Sequence, residues 1–312
     1  MPVSLYEMEE GLFENARHLR AVDFLMCNST DVITGLRNGG FAKYGIDTQQ
    51  TLAYVPATYG EATETNVVVS NGGKLHAKTY RLVDSLDYFV PYEFEADMIE
   101  NSRKLPASDV PYTVCLPYSM TLPRGAAATY KLSQRDGNKL VFEEVTDDED
   151  IQAMHPYLIM VYDDEDLQGN AFSLDSKSGA AQTIPASTGI RMEQDDAPGY
   201  SVRGTLKTVS NSEAADMGAY ILQSDGDWYP VRTSNTKAEI LPYRCYLLPS
   251  ARNAGARIRM SLAGNGNTTG IDTIETIGRD GTHTYYDLQG RRIDPGNAKG
   301  VVIKDGKKIV VK

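Results

Sequence analysis

The chain has 312 residues, 41% apolar and 23% charged, a balance that suits two or three folded units and excludes a disordered polymer. Its net charge of −11 excludes a nucleic-acid surface, which needs a basic face against phosphates. No run of about 18 apolar residues offers a membrane-spanning helix.

Leu5, Met8, Leu12, Ala16 and Leu19 recur at helical spacing, which makes residues 1–46 the one helix-tinged part of the chain. Residues 12–24 also fit the template L-F-x-x-A-x-x-L-x-x-V-x-F, a helical turn followed by a strand. Residues 47–108 alternate β runs at Thr51–Pro56, Asn66–Val69 and Tyr80–Val83 with turns at Pro56 and Asn71-Gly72-Gly73. Asp97–Leu105 reads as one or two turns of helix.

Residues 109–263 form the main domain, where strand candidates recur about every ten residues, the spacing of a sandwich or barrel. They are Tyr112–Leu116, Thr129–Leu132, Lys139–Val145, Tyr157–Tyr162, Ala171–Leu174 and Gly189–Met192. Ser201–Thr208, Ala219–Gln223, Trp228–Val231, Tyr243–Leu248 and Arg257–Leu262 complete the set. Asp136-Gly137 and Asp225-Gly226 mark hairpins, and Gly264–Gly270 lacks core formers and reads as a linker. In residues 271–312, Val301–Ile303 and Ile309–Val311 flank Lys304-Asp305-Gly306-Lys307, whose Asp-Gly centre suits a tight hairpin. The 19 tyrosines, against 7 phenylalanines and 1 tryptophan, suit half-buried strands with the ring inward and the hydroxyl wet. The same rings could instead line a carbohydrate- or protein-binding face.

Three of these segments resemble known families. Residues 12–24 resemble one unit of the leucine-rich repeats of Bacteroidetes surface proteins, although Cys27-Asn28-Ser29-Thr30 departs from the usual continuation. One repeat cannot bury its own core. The resemblance therefore implies that 1–46 is a leucine-rich-repeat-like solenoid cap and 47–108 a short-strand extension of its sheet. Residues 109–263 resemble a β-sandwich module found near the C-termini of secreted proteins of the same bacteria. The matching runs are Tyr112–Pro117, Pro123 with Gly125, His155–Ile159, Gly218–Leu222 and Leu241–Tyr246. Finally, YYDLQGRRI at 285–293 and KGVVIKDGKKIVVK at 299–312 make residues 271–312 resemble a type IX secretion sorting tail. Met1-Pro2-Val3-Ser4 lacks the basic start and apolar core of an export signal, so Met1 is expected to be an internal start within a longer precursor.

Chemistry-bearing patterns are few. Asp164-Glu165-Asp166-Leu167-Gln168-Gly169 followed by Asp175 approximates a calcium loop, but the flanks read as strands and position twelve is a short Asp. An acidic hairpin tip is the expected identity of 164–175, and a solvated turn that of Asp147–Asp150. His18, His76, His155 and His283 show no metal-ligand spacing, and no G-x-S-x-G elbow or nucleotide-binding glycine motif occurs. Cys27, Cys115 and Cys245 are too sparse for a disulfide scaffold. Cys115 and Cys245 lie in strand-like runs and could be buried small hydrophobes or a single bridge.

The expectation is a mainly β protein. It comprises a leucine-rich-repeat-like cap (1–46), an extension (47–108), a β-sandwich (109–263), a linker (264–270) and a small β tail (271–312). No catalytic, cofactor-binding or metal residue is assigned, and no cofactor is expected. The expected role is a non-catalytic structural or adhesive region of a secreted or outer-surface bacterial protein, presenting an upstream binding solenoid. Expected partners are the secretion machinery, through the tail, and a host protein or polysaccharide, with no nucleic acid and no membrane span. The alternative is the accessory C-terminal region of a secreted hydrolase.

Overall fold

A computed structural model describes residue 5 and residues 7–122, 126–145, 151–162, 171–176, 181–251 and 256–263. It also gives the backbone of tail strands at 285–286, 292–293, 300–304 and 307–311. The chain divides into two compact units, Met1–Met260 and Ser261–Lys312, and is mainly β.

In chain order the elements are β1 (Ala21–Asp23), α1 (Thr30–Gly39), β2 (Leu52–Val55), β3 (Val67–Asn71), β4 (Lys74–Leu82), β5 (Phe94–Asn101), β6 (Lys104–Pro106) and β7 (Tyr112–Cys115). Then come β8 (Ala127–Asp136), β9 (Lys139–Glu144), β10 (Pro156–Val161), β11 (Ala171–Ser173), β12 (Gln182–Ile184), β13 (Gln194–Ala197) and β14 (Tyr200–Thr205). They are followed by α2 (Asn211–Met217), β15 (Tyr220–Leu222), β16 (Trp228–Pro230), β17 (Arg244–Pro249) and β18 (Arg259–Ala263).

The first sheet has the order β1-β2-β3-β4-β5-β12. Its first three strands run parallel, with Val22 opposite Ala53 and Tyr54 opposite Val68. The β3–β4 hairpin then reverses direction, β5 runs parallel to β4, and β12 closes antiparallel on β5. A second sheet has the order β18-β9-β8-β10-β7 and a third β13-β14-β17-β15-β16, while β6 and β11 form a separate pair.

Strand β2 is buried along its whole length because it is covered on both faces, as parallel central strands are. Its alternate side chains part company. Ala53 and Val55 join Val22, Phe24, Leu36 and Phe41 under α1, whereas Leu52 and Tyr54 join a larger apolar cluster. That larger cluster runs on through Tyr80, Phe94 and Leu105 to Leu116, Tyr157, Ile184 and Tyr243, drawing side chains from both sides of residue 108.

Helix α1 starts where the Ser29 hydroxyl accepts the Val32 N–H and ends at Gly40, and it buries Val32, Ile33 and Leu36 on one face. The helical spacing at 5–19 takes a different form. Leu12, Glu14, Ala16 and Leu19 each donate to the carbonyl three residues back, giving successive tight turns. The Gly11 and Phe13 N–H groups, which a continuous α-helix would use internally, donate to the Lys43 and Tyr44 carbonyls. Gly45 admits this close approach, since any added Cβ would overlap the Phe13–Glu14 backbone.

Asp97–Leu105, expected as helical turns, is instead the end of β5 and the start of β6. The buried positions of β5 are Phe94 and Ala96 and then Ile99 and Asn101, so the buried parity changes within the strand and no single alternation marks it. Gly189–Met192 is not a strand. Strands β12 and β13 and helix α2 form where none was expected. The hairpins expected at Asp136-Gly137 and Asp225-Gly226 are present, with Gly137 and Gly226 at positive φ.

The tyrosines are more deeply set than half-buried strands imply. Tyr88, Tyr118 and Tyr243 are almost wholly buried, and their hydroxyls donate to the Pro185, Leu174 and Leu86 carbonyls at 2.5, 2.6 and 2.8 Å. These hydroxyls are dry, and their partners are carbonyls just past β12 and β11 and in the loop between β4 and β5.

In the second unit, β19 (Tyr285–Tyr286), β20 (Arg292–Ile293), β21 (Gly300–Lys304) and β22 (Lys307–Val311) form an antiparallel sheet of order β20-β19-β21-β22. Lys304 pairs with Lys307 where β21 meets β22, while Asp305-Gly306, read from the sequence as the hairpin centre, lie outside the described residues.

Candidate functional site

Among the described residues, those singled out from the sequence do not converge. Residues 164–170 and 147–150, together with His283, lie outside the described residues. Asp175 is described, and its carboxylate is committed to structure. It accepts the Asn101 N–H at 2.7 Å and the Lys104 ammonium at 3.4 Å. Burial works to raise this carboxyl, but the Asn101 N–H, the Ser173 hydroxyl and Lys104 outweigh it and hold it below the usual range. His76 pairs with Asp97 at 2.8 Å on an exposed face. His155 lies against Asp195 at 3.0 Å, with its ring 4.8 Å from that of Tyr157, a packed position at the start of β10. Among the described residues no group of three His, Cys, Asp or Glu side chains is placed to hold a metal.

All three cysteines are buried free thiols. Burial pushes the Cys245 thiol up to about 12 and Cys115 well above its ordinary value, which leaves both protonated and unreactive as nucleophiles. Cys245 donates weakly to the Tyr157 carbonyl, and Cys115 rests on the bare Cα of Gly204.

The arrangement with the shape of a binding site was not singled out from the sequence. It is an open cavity of about 440 Å³ formed by the β15–β16 hairpin and the loop that follows it. Its floor is Ile221, Val231 and Ala238, and the last two belong to an apolar cluster with Val209, Ala214 and Ile240, so the floor is backed by a packed core. Its rim includes Gln223, Asp225, Tyr229, Arg232 and Asn235.

The rim is cross-linked by hydrogen bonds. The Tyr229 hydroxyl donates to Asp225 Oδ2 at 2.7 Å, and Asp225 Oδ1 accepts the Asp227 N–H at 3.1 Å. The Tyr229 hydroxyl is the main cause holding the Asp225 carboxyl below the usual range, so it is ionised at neutral pH. On the other side, the loop from Arg232 to Ala238 is gathered by one amide. Asn211 Nδ2 donates to the carbonyls of Arg232, Asn235 and Ala238 at 3.1, 2.8 and 3.2 Å. Asn211 is held in turn as the first residue of α2, where the Ser210 hydroxyl accepts the Glu213 N–H. Beneath the hairpin, Trp228 is fully buried and stacked on Phe142 at 6.3 Å.

Sequence reasoning caught the Asp225-Gly226 turn and missed the cavity. The one legible cue was Ser210-Asn211-Ser212-Glu213, a capping-box spacing that announces α2 and so places Asn211. Nothing local announces that Asn211 reaches carbonyls up to 27 residues away. Compared with protein-family models, curated proteins and solved structures, the chain matches none.

Proposed function

We propose that this chain is a non-catalytic structural and adhesive region of a secreted or cell-surface bacterial protein. In this reading residues 1–46 are a leucine-rich-repeat-like cap, 47–108 extend its sheet, 109–263 form a β-sandwich module, and 271–312 are a sorting tail read by the secretion machinery. The observation that carries the reading is the parallel run β1-β2-β3 with α1 packed on one face, at the edge of a sheet that then turns antiparallel. A coil of a leucine-rich repeat lays its strand in the same parallel manner, and β1 is the outermost strand on that side, where a further coil would pair.

The tail supports the same reading in a different way. Four short antiparallel strands ending in a Lys-rich hairpin make a compact unit of their own, suited to recognition through strand edges rather than to catalysis. Deleting Ile271–Lys312 from the native precursor is expected to leave the protein folded and trapped in the periplasm, and fusing the tail to a periplasmic reporter should export it. Surface localisation of the truncated protein at the normal level sinks the sorting assignment. Near-UV circular dichroism of the truncated protein separates a sorting defect from an unfolded chain.

A further inference from the structure

The cavity beside the β15–β16 hairpin has more internal order than a hairpin tip requires. Exposed side chains usually keep their rotamer freedom, and groups fixed beforehand spare a ligand that ordering entropy on binding. Here Tyr229 is tied to Asp225, Asp225 to the turn backbone, and the opposite wall to Asn211. A ligand would meet Tyr229 and Asp225 already in place and a loop whose backbone is already gathered, above a floor backed by a packed apolar cluster.

The lining chemistry narrows the ligand. Asp225 and Arg232 are the charged side chains of the lining, one of each sign, so the site is neutral in a chain of net charge −11. A neutral site does not select an anion or a cation. Planar polar groups on Gln223, Asp225, Arg232 and Asn235 can each grip two neighbouring hydroxyls, as bidentate donors or acceptors. The Tyr229 ring offers a face whose negative quadrupole attracts the slightly positive C–H groups of a pyranose ring. The cavity is open, so a ligand can keep part of its hydration and continue as a chain in either direction. A polyhydroxylated ring with one apolar face satisfies all four conditions.

We infer that this cavity is a binding site for a neutral carbohydrate, with one sugar ring seated against Tyr229 and its hydroxyls held by Asp225, Arg232 and Asn235. This deepens the adhesive part of the proposed function by naming a polysaccharide class and a place for it. It does not depend on how the chain is exported.

The test uses the full chain on an array of neutral gluco-, manno-, galacto- and xylo-oligosaccharides, followed by titration of the best hexasaccharide. Isothermal titration calorimetry is the readout, since Trp228, the single tryptophan, is buried and does not line the cavity. Saturable binding is expected, weakened at least tenfold by Arg232→Ala and by Tyr229→Ala, and only a few-fold by Tyr229→Phe, which keeps the ring. Arg232 is exposed, so its replacement leaves the fold intact even if a change at Tyr229 does not. Saturation by none of the neutral glycans overturns the inference. So does binding confined to acidic sugars, or binding that Arg232→Ala and Tyr229→Ala both leave unchanged. Because the assay needs no export, failure of the sorting experiment and failure of this one can be told apart.

Discussion

At the scale of single residues, Gly204 shows how a sequence position with no visible role becomes decisive. It lies in β14 opposite Cys245 of β17, and an added Cβ would overlap both the Sγ and the Cβ of Cys115 on β7. The contact is with a short, fully buried side chain that has no room to swing aside. Gly204→Ala is therefore expected to destabilise the protein by about 1–3 kcal/mol, the usual cost of overpacking. Gly204→Ala with Cys115→Ala should recover part of that loss, because the sulfur at the closest overlap is gone while the Cβ at position 115 still crowds the methyl. Urea denaturation of the two single variants and the double variant measures the coupling. Strictly additive losses would show that the methyl is tolerated by some other movement. From the sequence, Cys115 reads as a buried small hydrophobe or half of a bridge; it is a buried free thiol, and its seat on a bare Cα is the part the sequence does not record.

At the scale of elements, the junction of β5, β6 and β11 rests on a carboxylate. Asp175, two residues past β11, binds the backbone at the end of β5 and the Lys104 side chain of β6. Asn101 extends the junction inward, its amide donating to the buried Tyr118 hydroxyl at 2.8 Å. The Asp175 carboxyl is held below its ordinary value, so it binds fewer protons folded than unfolded through the acid range. Its contribution is then fully present above the unfolded value of about 3.9 and is lost as pH falls through the lower folded value. Asp175→Asn is expected to lower stability at pH 7 and to flatten the decline between pH 5 and pH 2. Unfolding midpoints across that range check this, and parallel curves for the two proteins would mean that Asp175 is not the titrating tie. The sequence offered Asp175 as the last position of a calcium loop, and the structure gives it strand partners.

At the scale of the whole molecule, the larger apolar cluster crosses residue 108, where strand spacing and resemblance separate an extension from the main domain. Leu52, Tyr54, Tyr80, Leu82, Phe94 and Leu105 pack in the same cluster as Val114, Tyr157, Ile159 and Tyr243. A fragment of residues 109–263 is thus expected to leave much of that surface bare, whereas residues 1–263 retain it. The shorter fragment should give a collapsed amide spectrum with exposed apolar surface, and the longer one a dispersed spectrum. Good dispersion from residues 109–263 alone would show that the cluster is shared in space but not in stability. What the sequence determined by itself is what neighbours a few residues apart decide. It carried the mainly β class, the Asp-Gly hairpins, most strands of 109–263 and the paired strands of the tail, because β-branched runs and turn residues act over two to four positions. Only the tertiary structure decided that 97–105 is strand rather than helix, that 8–19 is turns braced against 43–44, and that a hairpin and a distant Asn enclose a cavity. Each of those depends on a hydrogen bond or a buried face supplied from more than ten residues away, and a one-dimensional pattern does not record which distant group will be there.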